Sequence, residues 1–392
     1  MSFRKAIFWL HLVAGVLAGI IILIMSMTGV MLAYERQITR LADGVQVQQT
    51  GSGRLPLSDL VKTVRTAEPE DIPSSIIVRS DPSAPVAFSF GREKTVFVNP
   101  YNGEALGNGG EKTRAFFQWT VTLHRWLGAE GEKRPVGKAI TGAANLIFLF
   151  IVVSGVYLWF PRKWSAASLK AITLFKSGLR GKARDWNWHN VIGFWCALPL
   201  FFVVSTAVVI SYPWANNLLS RLTGNEPPPP RAPAAPRGGS TGKGERSTPK
   251  EPSWQYLDAT FQQASQHVDD WKMITVRIPA GTGPFSFTVD RGNGARPDLR
   301  TQLNFTPSGE LSGIERYSDY NLGRKLRLWV RWVHTGEAGG IIGQTIAAIA
   351  SAGAVVLVWT GLMLTWRRFF GRNKRGEEVD STKSAGAVQS MQ

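Results

Sequence analysis

Four long apolar runs alternate with polar blocks along the 392 residues of this chain. The runs cover roughly Ile7–Ala33, Ile140–Phe160, Val191–Ile210 and Ile341–Trp366, and almost no charged residue interrupts them. Each is close to the ~20 residues that a helix needs to cross ~30 Å of hydrocarbon. Buried helices of soluble proteins rarely stay apolar over such lengths. The pattern therefore predicts an integral membrane α-helical protein with four transmembrane helices.

We place these transmembrane helices within residues 1–35, 138–160, 189–212 and 339–367. The first run follows Arg4 and Lys5, as the apolar part of a signal peptide would. Its apolar stretch is longer than a signal peptide requires, however, and no small-x-small cleavage site ends it. We therefore expect an uncleaved anchor.

The distribution of basic residues predicts the orientation. Lysine and arginine dominate the loop of residues 161–188, in which Asp185 is the single acid. Short basic loops stay on the cytoplasmic side, and the basic residues before the first run and at the start of the tail, residues 368–392, agree. We expect a multi-pass protein in the lipid of a bacterial inner membrane, with both termini cytoplasmic. Much of the net charge of +17 then reflects topology, and a nucleic-acid partner is not expected.

The two polar blocks, residues 36–137 and 213–338, would then be periplasmic, and each reads as a small α+β lobe. Each block starts with a helix-like segment, Leu57–Glu68 in the first and Trp254–Val268 in the second. Three strand-like runs follow in each block: Ser75–Arg79, Val86–Phe90 and Thr95–Val98, then Met273–Ile278, Phe285–Val289 and Thr301–Phe305. Residues 224–253 are rich in proline, glycine and serine, so we expect an extended or disordered linker there.

Several motifs occur twice, at matching places. His11 and His189 each stand four residues before a glycine at the start of an apolar run. His124 and His334 each stand five residues after a tryptophan, and Ser154-Gly155 matches Thr360-Gly361. The chain therefore reads as an internally duplicated unit: a span with an inner histidine, an outer lobe, an outer histidine and a second span.

Four of the five histidines fall at these duplicated positions. Taken singly, each would be read as a packing or surface residue. Taken together, they suggest that His11 faces His189 and that His124 faces His334, one nitrogen on each side of a flat macrocycle. We therefore predict two b-type haems whose iron atoms are ligated by these pairs, a form suited to electron transfer. Arg125 and Arg331 are candidate partners for the outer haem propionates.

Other metals fit these residues less well. A zinc site would lack two of its four ligands, whereas copper remains possible. The single cysteine, Cys196, leaves no Cys-x-x-Cys-His motif for covalent haem and no cysteine-ligated cluster. The fifth histidine, His267, is expected to be exposed to solvent.

The electron donor has to lie outside the chain. Its Gly-x-Gly stretches do not open a helix after a strand, so they fail the test for a dinucleotide site. A separate cytoplasmic reductase or a quinol would supply the electrons.

These features together resemble the PepSY-associated transmembrane family, which includes inner-membrane reductases of ferric siderophores such as the ferrioxamine reductase. The resemblance rests on the His-x-x-x-Gly openings, the Trp-x-x-x-x-His pairs, the four-span duplication and the turn of residues 99–104, Asn-Pro-Tyr-Asn-Gly-Glu. It implies two b-type haems on the four paired histidines, two PepSY-like periplasmic lobes, and reduction of a ferric siderophore or other Fe(III) chelate to release Fe(II). Two alternatives stay open: a non-redox module whose lobes bind a peptide or protease, and a component of siderophore uptake.

Overall fold

The computed structural model describes residues 2–49, 53–91, 94–161, 164–225, 252, 254–279, 281 and 283–370. Most of the predicted linker, residues 224–253, and the tail beyond residue 370 lie outside the described residues. In chain order the helices are α1 (Phe3–Leu32), α2 (Glu35–Asp43), α3 (Leu57–Ala67), α4 (Glu111–Trp126), α5 (Arg134–Trp159), α6 (Ala166–Thr173), α7 (Gly181–Ser211), α8 (Pro213–Leu222), α9 (Leu257–Gln266), α10 (Leu322–His334) and α11 (Gly340–Phe369). The strands are β1 (Ser75–Arg79), β2 (Val86–Phe90), β3 (Lys94–Val98), β4 (Ala105–Gly107), β5 (Met273–Arg277), β6 (Ser286–Asp290), β7 (Arg300–Phe305) and β8 (Leu311–Arg316).

The chain divides into two compact units. The helical unit comprises Met1–Ala33, Val121–Tyr212 and Val333–Gln392, and the sheet unit comprises Tyr34–Thr120 and Pro213–Trp332. Each unit thus draws on both halves of the sequence.

Four helices of the helical unit, α1, α5, α7 and α11, are long and apolar enough to cross a membrane. The prediction of a membrane protein is thereby confirmed for the described part of the chain. Helices α1 and α7 each pack against both α5 and α11, so α1 and α7 lie diagonally opposite each other. This arrangement allows a residue of α1 to face a residue of α7 across the interior.

Two of these helices start earlier than predicted. Helix α5 starts at Arg134 and α7 at Gly181, because helical hydrogen bonding continues beyond the apolar residues that marked the predicted ends. The α7 extension is stabilised by Asp185, a buried carboxylate that pairs with Arg184 and Arg367, both at 2.9 Å. The predicted loop of residues 161–188 is therefore shorter and contains α6.

Glycines let two of the long helices start very close to the element before them. A Cβ atom on Gly137 would lie 2.1 Å from the Trp126 carbonyl oxygen. A Cβ atom on Gly343 would lie 2.3 Å from the Gly336 carbonyl oxygen. No side chain fits in either gap. The start of α5 is thus held against the end of α4, and the start of α11 against the turn after α10.

The sheet unit contains one antiparallel sheet in the order β4-β3-β2-β1-β5-β6-β7-β8. Helices α3 and α9 contribute Leu60, Val64 and Leu257 to its core, which also contains Phe88 and Phe287 from the sheet. The six predicted strands lie within one residue of their predicted bounds. The short strand β4 and strand β8 were not predicted.

The two predicted lobes are not separate sheets, because β1 pairs with β5. Ser75 lies opposite Arg277, and Arg79 lies opposite Met273, so the first residue of each strand faces the last residue of the other. Both strands bury their alternate residues, and an unpaired apolar edge would invite association with other chains. Joining the two edges satisfies their backbone groups within one molecule.

Candidate cofactor site

His11 projects from α1 toward α5, and among the described residues it hydrogen-bonds through its Nδ1 alone. Its Nδ1 lies 2.8 Å from Ser154 Oγ, which donates its own hydrogen to the Ile151 carbonyl oxygen at 3.2 Å. With the serine hydrogen on that carbonyl, the serine oxygen accepts from Nδ1–H of His11. This fixes the tautomer in which Nε2 carries the lone pair that a metal needs.

His189 has the same environment on α7. Its Nδ1 lies 2.9 Å from Thr360 Oγ1 on α11, and that hydroxyl donates to the Val356 carbonyl oxygen at 2.8 Å. Nδ1–H of His189 is therefore the donor, and Nε2 is again left with its lone pair.

A glycine lies beside each of these two rings. A Cβ atom on Gly155 would lie 3.3 Å from Cε1 of His11, and one on Gly361 would lie 3.4 Å from Cε1 of His189. Any larger side chain at either position would push the imidazole out of place. On α1, a Cβ atom on Gly15, one turn beyond His11, would meet nothing within 4 Å, so there is open space on that side. His11 and His189 lie on diagonally opposite helices, within electrostatic range of each other.

His124, near the end of α4, approaches the other end of α1. Its Nδ1 lies 2.8 Å from Thr28 Oγ1, which donates to the Ile24 carbonyl oxygen at 2.7 Å. A Cβ atom on Gly29 would lie 3.7 Å from Cε1 of this ring. The combination of a hydroxyl acceptor followed by glycine thus occurs at a third histidine.

His334, the last residue of α10, differs in its partner. Its Nδ1 lies 2.9 Å from the Val203 carbonyl oxygen of α7. A carbonyl can only accept, so Nδ1 of His334 must carry the hydrogen, and Nε2 is the nitrogen available for ligation.

The rings of His124 and His334 lie 6.3 Å apart, centroid to centroid, with their planes at 55°. An imidazole nitrogen bonds a metal at about 2.0 Å and stands about 1.1 Å from its ring centroid. Two imidazoles on opposite sides of one metal ion should therefore have centroids about 6.2 Å apart. The observed spacing fits a single metal ion between the two rings.

Burial keeps the His124–His334 pair neutral. Burial, followed by the charge of the neighbouring His334, lowers the pKa of His124 to about 4. Burial likewise lowers the pKa of His334. Both rings are therefore uncharged near pH 7 and can ligate a metal without first losing a proton.

The donor set distinguishes between the cofactors considered. Within the described ranges, no group of three or more His, Cys, Asp or Glu side chains could hold a metal ion. Each histidine pair would thus supply two metal ligands, and the remaining ligands would have to come from a cofactor or solvent. A haem supplies four nitrogens of its own and needs two axial ligands, so the residues present fit a haem better than a zinc ion.

The two remaining predicted site residues, Arg125 and Arg331, lie close to His124 and His334 in the sequence. Arg125 follows His124, lies within electrostatic range of both His124 and His334, and has its guanidinium carbon 4.7 Å from the ring centroid of Trp126. Arg331 stands three residues before His334 on α10, with its guanidinium carbon 5.2 Å from the centroid of Trp332. Their role as propionate partners stays a prediction. His267 is exposed, as expected.

The residues that orient the rings were not predicted as site residues. Ser154 and Thr360 stood out only as a matched pair before glycine, and Thr28-Gly29 carries the same signal. Position 203 gave no signal, because a backbone carbonyl is present at every residue.

Comparison with known proteins bears on the same stretch of chain. A family model described as "PepSY-associated TM region" matches residues 8–368. No curated protein matches the sequence.

Proposed function

Because the chain belongs to the PepSY-associated transmembrane family, and because its paired histidines fit haem, we propose that it is a membrane electron-transfer protein that reduces ferric siderophores. His11 and His189 would hold one b-type haem, and His124 and His334 a second. The observation that carries this proposal is the outer pair: two neutral imidazoles 6.3 Å apart, each with Nδ1 engaged and Nε2 available.

The two histidine pairs lie at opposite ends of the helical unit. His11 and Thr28, the partner of His124, are seventeen residues apart on α1, about 25 Å at 1.5 Å per residue. His189 and Val203, the partner of His334, are fourteen residues apart on α7, about 21 Å on the same basis. A haem held by each pair would supply one-electron transfer there. The two pairs would thus carry electrons from one face of the membrane toward the other.

The orientation proposed from the basic loop has electrons entering at the His11–His189 end, on the cytoplasmic side. A separate reductase or a quinol would be the donor, and a ferric siderophore at the periplasmic end the acceptor. Reduction would release the metal, because hard oxygen donors hold Fe(III) far better than the softer Fe(II).

We further infer that the chain consists of two copies of one unit. The matched partners of His11 and His189, the close approaches at Gly137 and Gly343, and the reciprocal register of β1 with β5 all support this inference.

The decisive experiment is optical. The purified full-length protein should give the reduced-minus-oxidised spectrum of six-coordinate b-type haem and contain two haems per chain by pyridine haemochrome assay. The variant His124→Ala should retain one haem, and His267→Ala, a control at the exposed histidine, should retain two.

Reoxidation of the reduced protein by a ferric siderophore, followed by stopped flow, then tests the acceptor. Protein that is colourless after expression with ample iron and haem precursor would overturn the cofactor assignment. Fully loaded protein that no ferric chelate reoxidises would overturn the reductase assignment alone.

A further inference from the structure

A cleft of about 600 Å³ opens on the helical unit beside the N-terminal end of α7. Its size falls in the range of roughly 300–1,000 Å³ that is usual for small-molecule sites. The segment between α6 and α7, with Phe175 and Lys176, forms one side of the cleft. Residues of α7 and α11 form the other side. None of the four histidines lines this cleft.

The mouth of the cleft is positively charged. Lys176 and Arg184 line it, and Asp185 is the single acid between residues 164 and 187. Asp185 is 1% exposed and pairs with both Arg184 and Arg367 at 2.9 Å. Among the residues that the structure describes, one carboxylate shared by two guanidinium groups leaves one positive charge uncompensated, and Lys176 adds another. The N-terminus of the 31-residue α7 contributes further partial positive charge.

The wall of the cleft is apolar and continues along the membrane-length helices. Trp188 and Ile192 come from α7, and Val356 comes from α11. The guanidinium carbon of Arg184 lies 5.4 Å from the ring centroid of Trp188, so the charged mouth and the apolar wall meet at that stacked pair. A ligand that fills both parts needs an anionic head and a hydrocarbon chain.

We propose that this cleft binds an anionic phospholipid. Its phosphate would lie against Lys176 and Arg184, and an acyl chain would follow Trp188, Ile192 and Val356. Basic pockets between membrane helices are suited to anionic headgroups, because the charge–phosphate attraction adds to burial of the chain. A neutral quinol would fit the apolar wall but would gain little from the surplus positive charge. We therefore favour the lipid as occupant.

The test is a titration of the full-length protein in detergent with phosphatidylglycerol or phosphatidylcholine, followed by native mass spectrometry. Phosphatidylglycerol should bind at least fivefold more tightly. The variant Lys176→Ala should lose about fivefold in affinity for phosphatidylglycerol, the effect of one cation near a phosphate, with phosphatidylcholine unchanged. Lys182→Ala, which removes the same charge from a residue that does not line the cleft, should stay within twofold of the parent protein.

Two further variants test the two parts of the cleft separately. Ile192→Trp should fill the apolar wall and weaken both lipids. Ser177→Glu changes an exposed residue at the mouth, so the fold is retained, and it should weaken phosphatidylglycerol alone.

Three results would overturn the proposal. Equal losses in Lys176→Ala and Lys182→Ala would show general attraction without a site. Unchanged phosphatidylglycerol binding in Ser177→Glu would remove the headgroup from the mouth. Tighter binding of a short-chain ubiquinone than of phosphatidylglycerol, lost in Ile192→Trp, would assign the cleft to a quinone instead.

Discussion

At the scale of single residues, the four paired histidines share one constraint: an acceptor holds the hydrogen on Nδ1. Ser154, Thr360 and Thr28 provide side-chain oxygens, whereas Val203 provides its carbonyl. Such partners orient a ligating imidazole and raise its basicity. The residues that would tune each proposed haem are therefore separate from the residues that would bind it.

Replacing Thr360 by valine removes the acceptor from His189 and keeps the side-chain shape. The unpaired Nδ1–H makes the imidazole a weaker donor, so we expect a 10–100-fold loss of affinity for the inner haem. The midpoint potential of that haem should rise, because the ferric state depends more on ligand donation. Optical redox titration and haem transfer to a scavenging protein measure the two effects. Thr365→Val is the control, since that hydroxyl donates to the Gly361 carbonyl oxygen of the same helix. Equal behaviour of the two variants would contradict the role of Thr360.

Gly361 tests the packing of the same ring. A leucine side chain there would collide with Cε1 of His189, which already lies 3.4 Å from the position of a Cβ atom. We expect Gly361→Leu to lose the inner haem and keep the outer one, giving one haem per chain by pyridine haemochrome assay. Ala352→Leu, at an exposed position of α11, should keep both. Two haems in Gly361→Leu would show that the ring has room to move.

The sequence was enough to single out the four histidines, because they recur at matching places within predicted elements, and the structure brings the rings of His124 and His334 to 6.3 Å from each other. It was not enough to predict all of their partners. Three of them are hydroxyl residues placed directly before glycine, a pattern that is as common in ordinary helix packing as beside a ligating ring. The Val203 carbonyl becomes the partner of His334 only because α10 ends beside α7 at that point. No local residue type predicts this contact.

At the scale of elements, the boundaries that could be predicted are those set by side-chain patterning. The six predicted strands follow runs of apolar and β-branched residues, and their bounds match the structure to within one residue. Strand β4 has three residues and little burial, and the starts of α5 and α7 are polar, so patterning carried no signal there. The joining of β1 to β5 is a long-range pairing, and alternation within one strand cannot specify its partner.

The turn between α10 and α11 should be sensitive to a single methyl group. A Cβ atom on Gly343 would lie 2.3 Å from the Gly336 carbonyl oxygen, so Gly343→Ala must push the start of α11 away from that turn. Overpacking of this kind costs about 1–3 kcal/mol, and for a chain of 392 residues we expect the melting temperature to fall by roughly 1–4 °C. Gly339→Ala is the matched control, since its added methyl group would meet nothing within 4 Å. Thermal unfolding in detergent, followed by circular dichroism, compares the two, and equal melting temperatures would show that the helix shifts at no cost.

At the scale of the whole molecule, the proposed path has two ends, and each end can be disabled by itself. In sealed vesicles with a reductant on the His11–His189 side, His189→Ala should leave the outer haem oxidised, because electrons no longer have an entry point. In His334→Ala, the inner haem should become reduced, whereas the ferric siderophore on the other side of the membrane should stay oxidised. Dithionite, added with a permeant mediator, should reduce the remaining haem in both variants. Siderophore reduction at the parental rate in either variant would mean that electrons do not pass through both pairs.

The reciprocal register of β1 and β5 is also the one that two identical chains adopt around a two-fold axis. A chain cut between α6 and α7 would leave one of these strands on each fragment, together with two of the membrane-length helices. Two such fragments, translated separately, would be able to associate in the bilayer through the pairing of β1 with β5. The same register would let a half-length chain with one such strand form the central strand pair as a homodimer.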